Sequence, residues 1–198
     1  MIAVIDYGVG NLFSLTASLN YIGAETKVTN RKEDILAADK IILPGVGAFS
    51  DAIEKLRNTG LVETIISETE KGKPLLGICL GMQLLFEKSY EYGEHEGLGL
   101  IKGEIRPIET HLKVPHIGWN GLHLVGEDPL FKYVQEGDFV YYVHSFYGTS
   151  CAESTIATSE YDVTITGAVR SGSVYGTQFH PEKSGEVGLS ILKAFKEL

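Results

Sequence analysis

The stretch "PLLGICLGMQLLFE", residues 74–87, places a cysteine between two glycines, where an apolar run meets a run with helical spacing. "KPLLGI" has the length and composition of a buried strand, and "LGMQLLFEKSYE" favours a helix. Cysteine is among the residue types most often buried, so Cys79 can be interpreted as core packing. The pentapeptide "GICLG" (77–81) also has the form glycine-x-nucleophile-x-glycine. Taken alone, these five residues leave packing and catalysis equally open.

The nucleophile interpretation has a physical basis in the sharp turn from strand to helix. Such a turn holds its central residue in a strained backbone conformation, and glycines on either side remove side chains that would collide. The nucleophile then projects at the helix amino terminus, where unpaired N–H groups favour a thiolate. The backbone N–H of Leu80 is placed to donate to an oxyanion.

A base for this nucleophile is present in "GTQFHPEKS", residues 176–184. His180 and Glu182 are two residues apart, and in an extended segment such residues point to the same side. Glu182 can accept from one ring nitrogen of His180, which leaves the other nitrogen to face a thiol. A solvated polar turn is the alternative for these residues, but beside an elbow in an α/β chain we favour a triad of Cys79, His180 and Glu182.

A second glycine-rich turn occurs in "LPGVGAF", residues 43–49. It joins a predicted strand to a predicted helix, and turns of this kind expose backbone N–H groups. It can therefore supply a further oxyanion donor, although a tight turn without any such role has the same sequence. The spacing fits neither the phosphate-binding P-loop nor the dinucleotide-binding fingerprint.

The order of predicted elements indicates the fold class. Short apolar runs alternate with helical runs through the first half, which predicts parallel strands covered on both faces. The second half is rich in Tyr, Val and Thr and punctuated by glycine, which favours antiparallel strands. We expect an α/β fold with a central mixed, mostly parallel sheet flanked by helices, additional antiparallel strands from the C-terminal half, and one domain over residues 1–198.

Composition excludes several classes of function. The formal net charge of −9 argues against nucleic-acid or anionic-membrane binding, which needs a basic surface. No apolar run reaches the length of a membrane span, and the amino terminus lacks the features of a signal peptide, so the expected location is the cytoplasm. The two cysteines do not form a disulfide framework, and Cys151 is interpreted as structural or incidental. The histidine spacing predicts no metal site, and no cofactor is expected.

The three motifs together resemble the class I (triad) glutamine amidotransferases. "PGVG" (44–47) is similar to their oxyanion strand, "GICLGMQ" (77–83) to their nucleophile elbow, and "HPE" (180–182) to their base and orienting acid. The resemblance covers nearly the whole chain, in order. It implies that glutamine is hydrolysed to glutamate and ammonia through a γ-glutamyl thioester on Cys79.

The resemblance also implies roles for residues around the triad. His180 would take the thiol proton and pass it to the leaving ammonia. The expected oxyanion hole consists of Val46, Gly47 and Leu80. The residues expected to bind glutamine are Gly45, Gln83, Glu91, His144, Ser145 and Phe146, with Glu91 contacting the amino group.

Further details resemble the glutaminases of histidine biosynthesis within this family. They are "IDYGVGNLFSL" (5–15), "PGVGAF" (44–49), "VPHIGWN" (114–120), "YYVHSFY" (141–147) and "QFHPEKS" (178–184). This resemblance implies a heterodimer with a cyclase subunit, a (β/α)8 barrel that receives the ammonia. The residues expected at that interface are Trp119, Asn120, Tyr141 and Lys183; a core position is the alternative for Trp119.

Three other functions stay open at this point. The chain could supply ammonia to a different synthase, of the pyridoxal phosphate, purine or anthranilate pathway. It could be a γ-glutamyl hydrolase that needs no partner, or a non-catalytic subunit that keeps the fold. The complete set of Cys79, His180 and Glu182 argues against the last of these.

Overall fold

Strands and helices alternate through the first half of the chain, as the sequence predicts. The computed structural model describes residues 1–198. The strands of this half are β1 (Ile2–Ile5), β2 (Thr26–Thr29), β3 (Lys40–Leu43), β4 (Leu75–Ile78), β5 (Phe86–Ser89) and β6 (His95–Glu96). The helices are α1 (Leu12–Tyr21), α2 (Lys32–Ala37), α3 (Phe49–Asn58), α4 (Val62–Glu70) and α5 (Leu80–Leu84). The sequence pattern does not predict α2, because its six residues are too few to establish a helical period.

The second half is dominated by strands and ends in a helix, also as predicted. Its strands are β7 (Ile101–Pro107), β8 (His116–Gly121), β9 (His123–Leu124), β10 (Phe139–His144), β11 (Phe146–Thr149), β12 (Thr155–Tyr161), β13 (Val163–Ser171) and β14 (Val174–Thr177). The closing helix is α6 (Gly185–Lys196), and short 3-10 helices cover Pro129–Phe131, Ala152–Ser154 and Pro181–Lys183.

The central sheet has eight strands in the order β2-β1-β3-β4-β14-β13-β12-β9. The strands from β2 to β14 pair in parallel, and those from β14 to β9 pair antiparallel. The expected α/β fold with a mixed sheet is therefore confirmed. Strand β14 comes from the end of the chain but lies beside β4, so the carboxyl ends of these two strands are neighbours.

Alternating side chains of the parallel strands build two cores, one on each face of the sheet. In β3, Ile41 and Leu43 pack with Phe49 of α3, whereas Ile42 packs on the other face with Leu15 of α1. Helices α1 and α6 thus cover one face, and α2, α3 and α4 cover the other. The longest helix, α6, has twelve residues, and none of the helices could cross a bilayer.

The helix predicted over "LGMQLLFEKSYE" is wrong in its second half. Helix α5 stops at Leu84, and the chain continues as β5 in a four-stranded sheet of order β11-β7-β5-β6. Amides from further along the chain take the carbonyls that a longer helix would use: Leu98 N donates to Leu84 O at 2.8 Å, and Gly99 N donates to Phe86 O at 3.1 Å. Tertiary pairing therefore overrides the helical pattern at this point.

The turn from β3 to α3 lies directly against the turn from β4 to α5. A Cβ atom on Gly81 would overlap the carbonyl oxygen of Leu43. A Cβ atom on Gly45 would lie 2.7 Å from Gly81 N, and one on Gly77 would lie 2.7 Å from Gly81 O. The three glycines therefore allow two strand-to-helix turns to meet backbone against backbone, which side chains would prevent.

We expect Gly81→Ala to lower the free energy of unfolding by about 3 kcal/mol or more, because the added methyl group overlaps a fixed backbone carbonyl. Urea unfolding measures this change. Gly121→Ala is the matched control, since its added Cβ atom would meet its nearest neighbour at 3.4 Å, and its effect should stay within about 1 kcal/mol. Equal losses in the two variants would contradict the packing argument.

Candidate active site

Cys79 occupies a strained turn between β4 and α5. Its backbone has φ 54° and ψ −112°, a left-handed conformation that residues other than glycine rarely adopt. The turn is held by hydrogen bonds on both sides: Cys79 N donates to Thr177 O at 2.7 Å, and Gln83 N donates to Cys79 O at 3.1 Å. The backbone therefore has the form expected of a nucleophile elbow, although α5 has only five residues and offers a smaller dipole than a long helix.

His180 and Glu182 form the expected contact through a different local structure. His180 Nδ1 and Glu182 Oε1 are 2.8 Å apart, and both side chains are almost fully buried. The segment is not extended beyond His180, because Pro181–Lys183 is a turn of 3-10 helix. That turn brings the Glu182 carboxylate back onto the ring. The prediction that the two residues pair is correct, but the extended geometry behind it is wrong.

The environment of His180 favours a protonated imidazole. Burial alone would lower the pKa of the ring, but hydrogen bonds to Cys79 and Glu182, with their negative charges, raise the pKa to about 10. The second carboxylate oxygen, Glu182 Oε2, is buried with no hydrogen-bond partner. The contact with Glu182 Oε1 therefore both orients the His180 ring and favours its protonated form.

Cys79 and His180 lie together in a cavity of about 380 Å³. The residues proposed as oxyanion donors, Val46, Gly47 and Leu80, line the same cavity. Val46 is 40% exposed, and Gly47 has φ +96° with open space around it. The residue that begins this turn, Pro44, is held more firmly, since the buried hydroxyl of Tyr7 donates to Pro44 O at 2.7 Å.

Most of the residues expected to bind glutamine also line this cavity. They are Gln83, Glu91, His144, Ser145 and Phe146. Gly45 does not line it; this residue is buried beneath the turn, against Gly81. The position of Gly45 follows from its close backbone packing, which leaves it no surface to offer a substrate.

Glu91 and Gln83 each have part of their side chain engaged. Glu91 is buried, and its Oε2 accepts from Phe49 N, at the start of α3, at 2.6 Å. Burial raises the pKa of Glu91, although the hydrogen bond from Phe49 opposes the shift. Gln83 Nε2 donates to Phe146 O and to Gln178 Oε1, both at 3.0 Å. Glu91 therefore ties the cavity wall to the helix that follows the Val46–Gly47 turn.

The residues expected at a partner interface fall into two groups. Trp119 is 56% exposed and packs edge-on against Tyr141 across the β8–β10 pair, with ring centroids 6.0 Å apart. The core alternative for Trp119 is therefore excluded. Lys183 lines the cavity itself, whereas the Asn120 side chain is held by Glu160 O at 2.9 Å.

Several residues near Cys79 were missed by the sequence reasoning. Tyr92, Pro115 and Val143 line the cavity, and the fully buried Gln178 places its Nε2 3.8 Å from Cys79 Sγ. Gln178 had a usable signal, because it lies two residues before His180 and strand alternation puts both on one side. Nothing local distinguishes the other three, which reach the cavity through tertiary packing.

Similarity to known proteins covers the whole chain. A model of the family described as glutamine amidotransferase class-I matches residues 3–197. A protein named imidazole glycerol phosphate synthase subunit HisH, from Bacillus cereus (strain G9842), is 53% identical over 196 residues, which cover 99% of this chain and 94% of that protein. The subunit of the same name from Bacillus cytotoxicus is 51% identical over 197 residues, with the same shares covered.

Solved structures share the fold at lower identity. A crystal structure of a glutamine amidotransferase matches with a TM-score of 0.79 at 19% identity and covers 100% of both chains. The structure of PurLQS from Thermotoga maritima matches with a TM-score of 0.75 at 22% identity, covering 98% of this chain and 96% of that one. From the full-length family match and the close relatives, together with the elbow and the buried His–Glu pair, we conclude that the chain belongs to the class I glutamine amidotransferase family.

Proposed function

We propose that this chain is the glutaminase subunit of imidazole glycerol phosphate synthase in histidine biosynthesis. The observation that carries the proposal is the single cavity that holds Cys79 and His180 beneath the Val46–Gly47 turn. The choice among amidotransferases is supported by the full-length relatives, 53% and 51% identical, that bear this name. The product ammonia would pass to a cyclase that forms imidazole glycerol phosphate and aminoimidazole carboxamide ribotide.

The proposed chemistry begins with the thiolate of Cys79. Its sulfur attacks the γ-carboxamide carbon of glutamine, and the carbonyl oxygen takes the negative charge of the tetrahedral intermediate. The carbon–nitrogen bond then breaks, and ammonia leaves with the proton that His180 donates. A γ-glutamyl thioester remains on Cys79. Water, deprotonated by His180, adds to the thioester, and glutamate leaves as the thiolate and the imidazolium are restored.

In this proposal, residues around Cys79 and His180 stabilise the negative charge of the oxyanion and the positive charge of the substrate's α-ammonium group. The backbone N–H of Leu80 and that of the Val46–Gly47 turn stabilise the oxyanion. Oε1 of Glu91 accepts a hydrogen bond from the α-ammonium group of glutamine, because Oε2 already accepts one from Phe49 N. An ammonium ion there would favour the ionised form of a carboxylate whose pKa burial has raised.

The proposed partner is a (β/α)8 cyclase subunit, which forms a heterodimer over the mouth of the cavity. An ammonia-supplying chain needs such an acceptor, because ammonia released into water is lost to the reaction. The exposed indole of Trp119 and the neighbouring Tyr141 suit an anchor that becomes buried on association. Lys183 extends the same surface into the cavity.

The first prediction concerns the proton on His180. Its pKa is raised from 6.5 to about 10, so its contribution to stability is present below pH 6.5 and lost as pH rises through about 10. A histidine NMR titration should therefore show His180 protonated at neutral pH. Glu182→Gln should lower this pKa towards 6.5, while the exposed control Glu186→Gln should leave it unchanged. A normal titration of His180 in the unaltered chain would contradict the ion pair.

The second prediction concerns the nucleophile. Cys79→Ala and Cys79→Ser should reduce glutamine-dependent product formation by a factor of about 10³ or more, because no other group can form the thioester. Product formation from added ammonium, measured on the complex with the cyclase, should be spared. Cys151→Ala is the matched control, since Cys151 is the other buried free thiol. Glutamine turnover that survives in Cys79→Ala would remove Cys79 from the mechanism.

The third prediction concerns the partner. The isolated chain should release glutamate slowly, and a histidine-pathway cyclase with its nucleotide ligand should stimulate that release, because in this proposal the Val46 peptide must reorient to complete the oxyanion hole. Trp119→Ala should weaken the complex by about tenfold, whereas Tyr21→Ala, a comparably exposed aromatic on α1, should not. Rapid turnover without a partner would favour a γ-glutamyl hydrolase. If glutamate release is stimulated only by the synthase of another pathway, the chain belongs to that pathway and not to histidine biosynthesis.

A further inference from the structure

A continuous chain of hydrogen bonds ends at the sulfur of Cys79. It begins at the β8–β10 pair and runs along the wall of the cavity. In order, its members are Asn120, His116, His144, the carbonyl of Phe146, Gln83, Gln178 and Cys79. Of these residues, the proposed reaction steps use only Cys79. The hydrogen bonds that lead to it therefore need a separate explanation.

The carbonyl of Phe146 fixes the tautomer of His144. His144 Nδ1 lies 2.8 Å from Phe146 O, and a carbonyl oxygen only accepts, so Nδ1 carries the hydrogen. Burial lowers the pKa of His144 to about 3, although the bond to Phe146 opposes the shift. The ring is therefore neutral at ordinary pH, and its Nε2 must accept from His116 Nδ1, 2.9 Å away.

The same reasoning fixes His116. Burial lowers its pKa to about 4, so the ring is neutral, and its Nδ1 already carries the hydrogen donated to His144. His116 Nε2 then accepts from Asn120 Nδ2 at 3.3 Å, and that amide nitrogen also donates to Glu160 O at 2.9 Å. Both histidines are thus held as the Nδ1–H tautomer.

The other branch fixes two amide side chains. Gln83 must present its nitrogen to the Phe146 carbonyl, at 3.0 Å, and the same nitrogen donates to Gln178 Oε1 at 3.0 Å. The oxygen of Gln178 is therefore engaged, and its N–H group points to Cys79 Sγ at 3.8 Å. Gln178 is fully buried, so its side chain is held by these contacts and not by solvent.

We propose that Gln178 is a further catalytic residue, whose amide N–H stabilises the Cys79 thiolate, and that His116 and His144 position it through the Phe146 carbonyl and Gln83. The need for a second donor follows from the surroundings of the sulfur. Val143 O lies 4.0 Å from Sγ, and a carbonyl oxygen there disfavours a negative charge. Turning over the amide of Gln83 or Gln178 would direct the oxygen of Gln178 towards the thiolate, and His116 and His144 act by holding the Phe146 carbonyl in place.

The proposed role of Gln178 rests on the proposed role of Cys79 as the nucleophile. The experiment that tests it, alkylation of Cys79, uses neither glutamine nor a partner. The thiolate attacks the methylene carbon of iodoacetamide, a carbon–sulfur bond forms and iodide leaves, so the alkylation rate against pH reports the thiolate fraction. Peptide mass spectrometry follows Cys79 separately from Cys151. We expect Gln178→Met and Gln178→Glu to raise the pH midpoint of Cys79 alkylation by about one unit, the effect of losing a hydrogen bond to a charged group.

Thr177→Val is the matched control for this experiment. Thr177 is as buried as its neighbour Gln178, and its hydroxyl has no hydrogen-bond partner, so the midpoint should not move. An unchanged midpoint in both Gln178 variants would overturn the inference even where glutamine turnover is present. A raised midpoint in a chain without glutaminase activity would support the inference and count against the proposed function alone.

Two further measurements test the positioning role and do not depend on how the Gln178 variants fold. Nitrogen-15 NMR of labelled histidine should find His116 and His144 in the unaltered protein as Nδ1–H tautomers; the Nε2–H tautomer at either would overturn the chain. His144→Asn keeps a donor where Nδ1 lies and should keep the midpoint. His144→Gln places its amide near the Nε2 position and should raise the midpoint, so equal midpoints in the two variants would contradict the positioning role.

Discussion

The site depends on one contact, the meeting of two strand-to-helix turns backbone against backbone. Gly81 lies so close to Leu43 O that no side chain fits between them, and Gly45 packs against Gly81 N in the same way. This contact sets the distance between the Val46–Gly47 turn and Cys79. Because backbone atoms make it, side-chain rotation cannot alter that distance, and the oxyanion donors proposed on both turns line one cavity.

The left-handed backbone of Cys79 is sustained by the sheet on either side of it. Such a conformation costs about 1–3 kcal/mol and persists only where its surroundings over-determine it. The parallel pairing of β4 with β14 supplies that support, since Cys79 N donates to Thr177 O at 2.7 Å. The same pairing places His180 beside Cys79, because both residues follow the carboxyl ends of adjacent parallel strands. One register thus fixes the strained residue and brings its proposed base beside it.

The sequence was sufficient for features that depend on local geometry. The glycines of "GICLG" predicted the elbow, and alternating apolar runs predicted the mixed sheet, because each follows from sterics or burial within a short window. Helix α5 was predicted too long, since distant amides capture its final carbonyls. Strand alternation could have placed Gln178 beside His180, but the roles proposed for Gln178 and His116 were missed for a related reason. Their importance lies in which atom donates to which, and the direction of a hydrogen bond between distant strands has no pattern in the sequence.

The two halves of the proposed site differ in how firmly they are held. Cys79, His180 and Gln178 are buried, Gln178 Nε2 lies 3.8 Å from Cys79 Sγ, and the pKa of His180 is raised to about 10, so the imidazole carries its proton before any substrate arrives. The Val46–Gly47 turn is exposed, and nothing lies within 4 Å of a Cβ built on Gly47. A peptide in open space can reorient at small cost, whereas the buried ion pair cannot. The exposed turn is therefore the part of the proposed site that is open to a partner, and completing an oxyanion hole there would change the barrier without disturbing the proposed nucleophile.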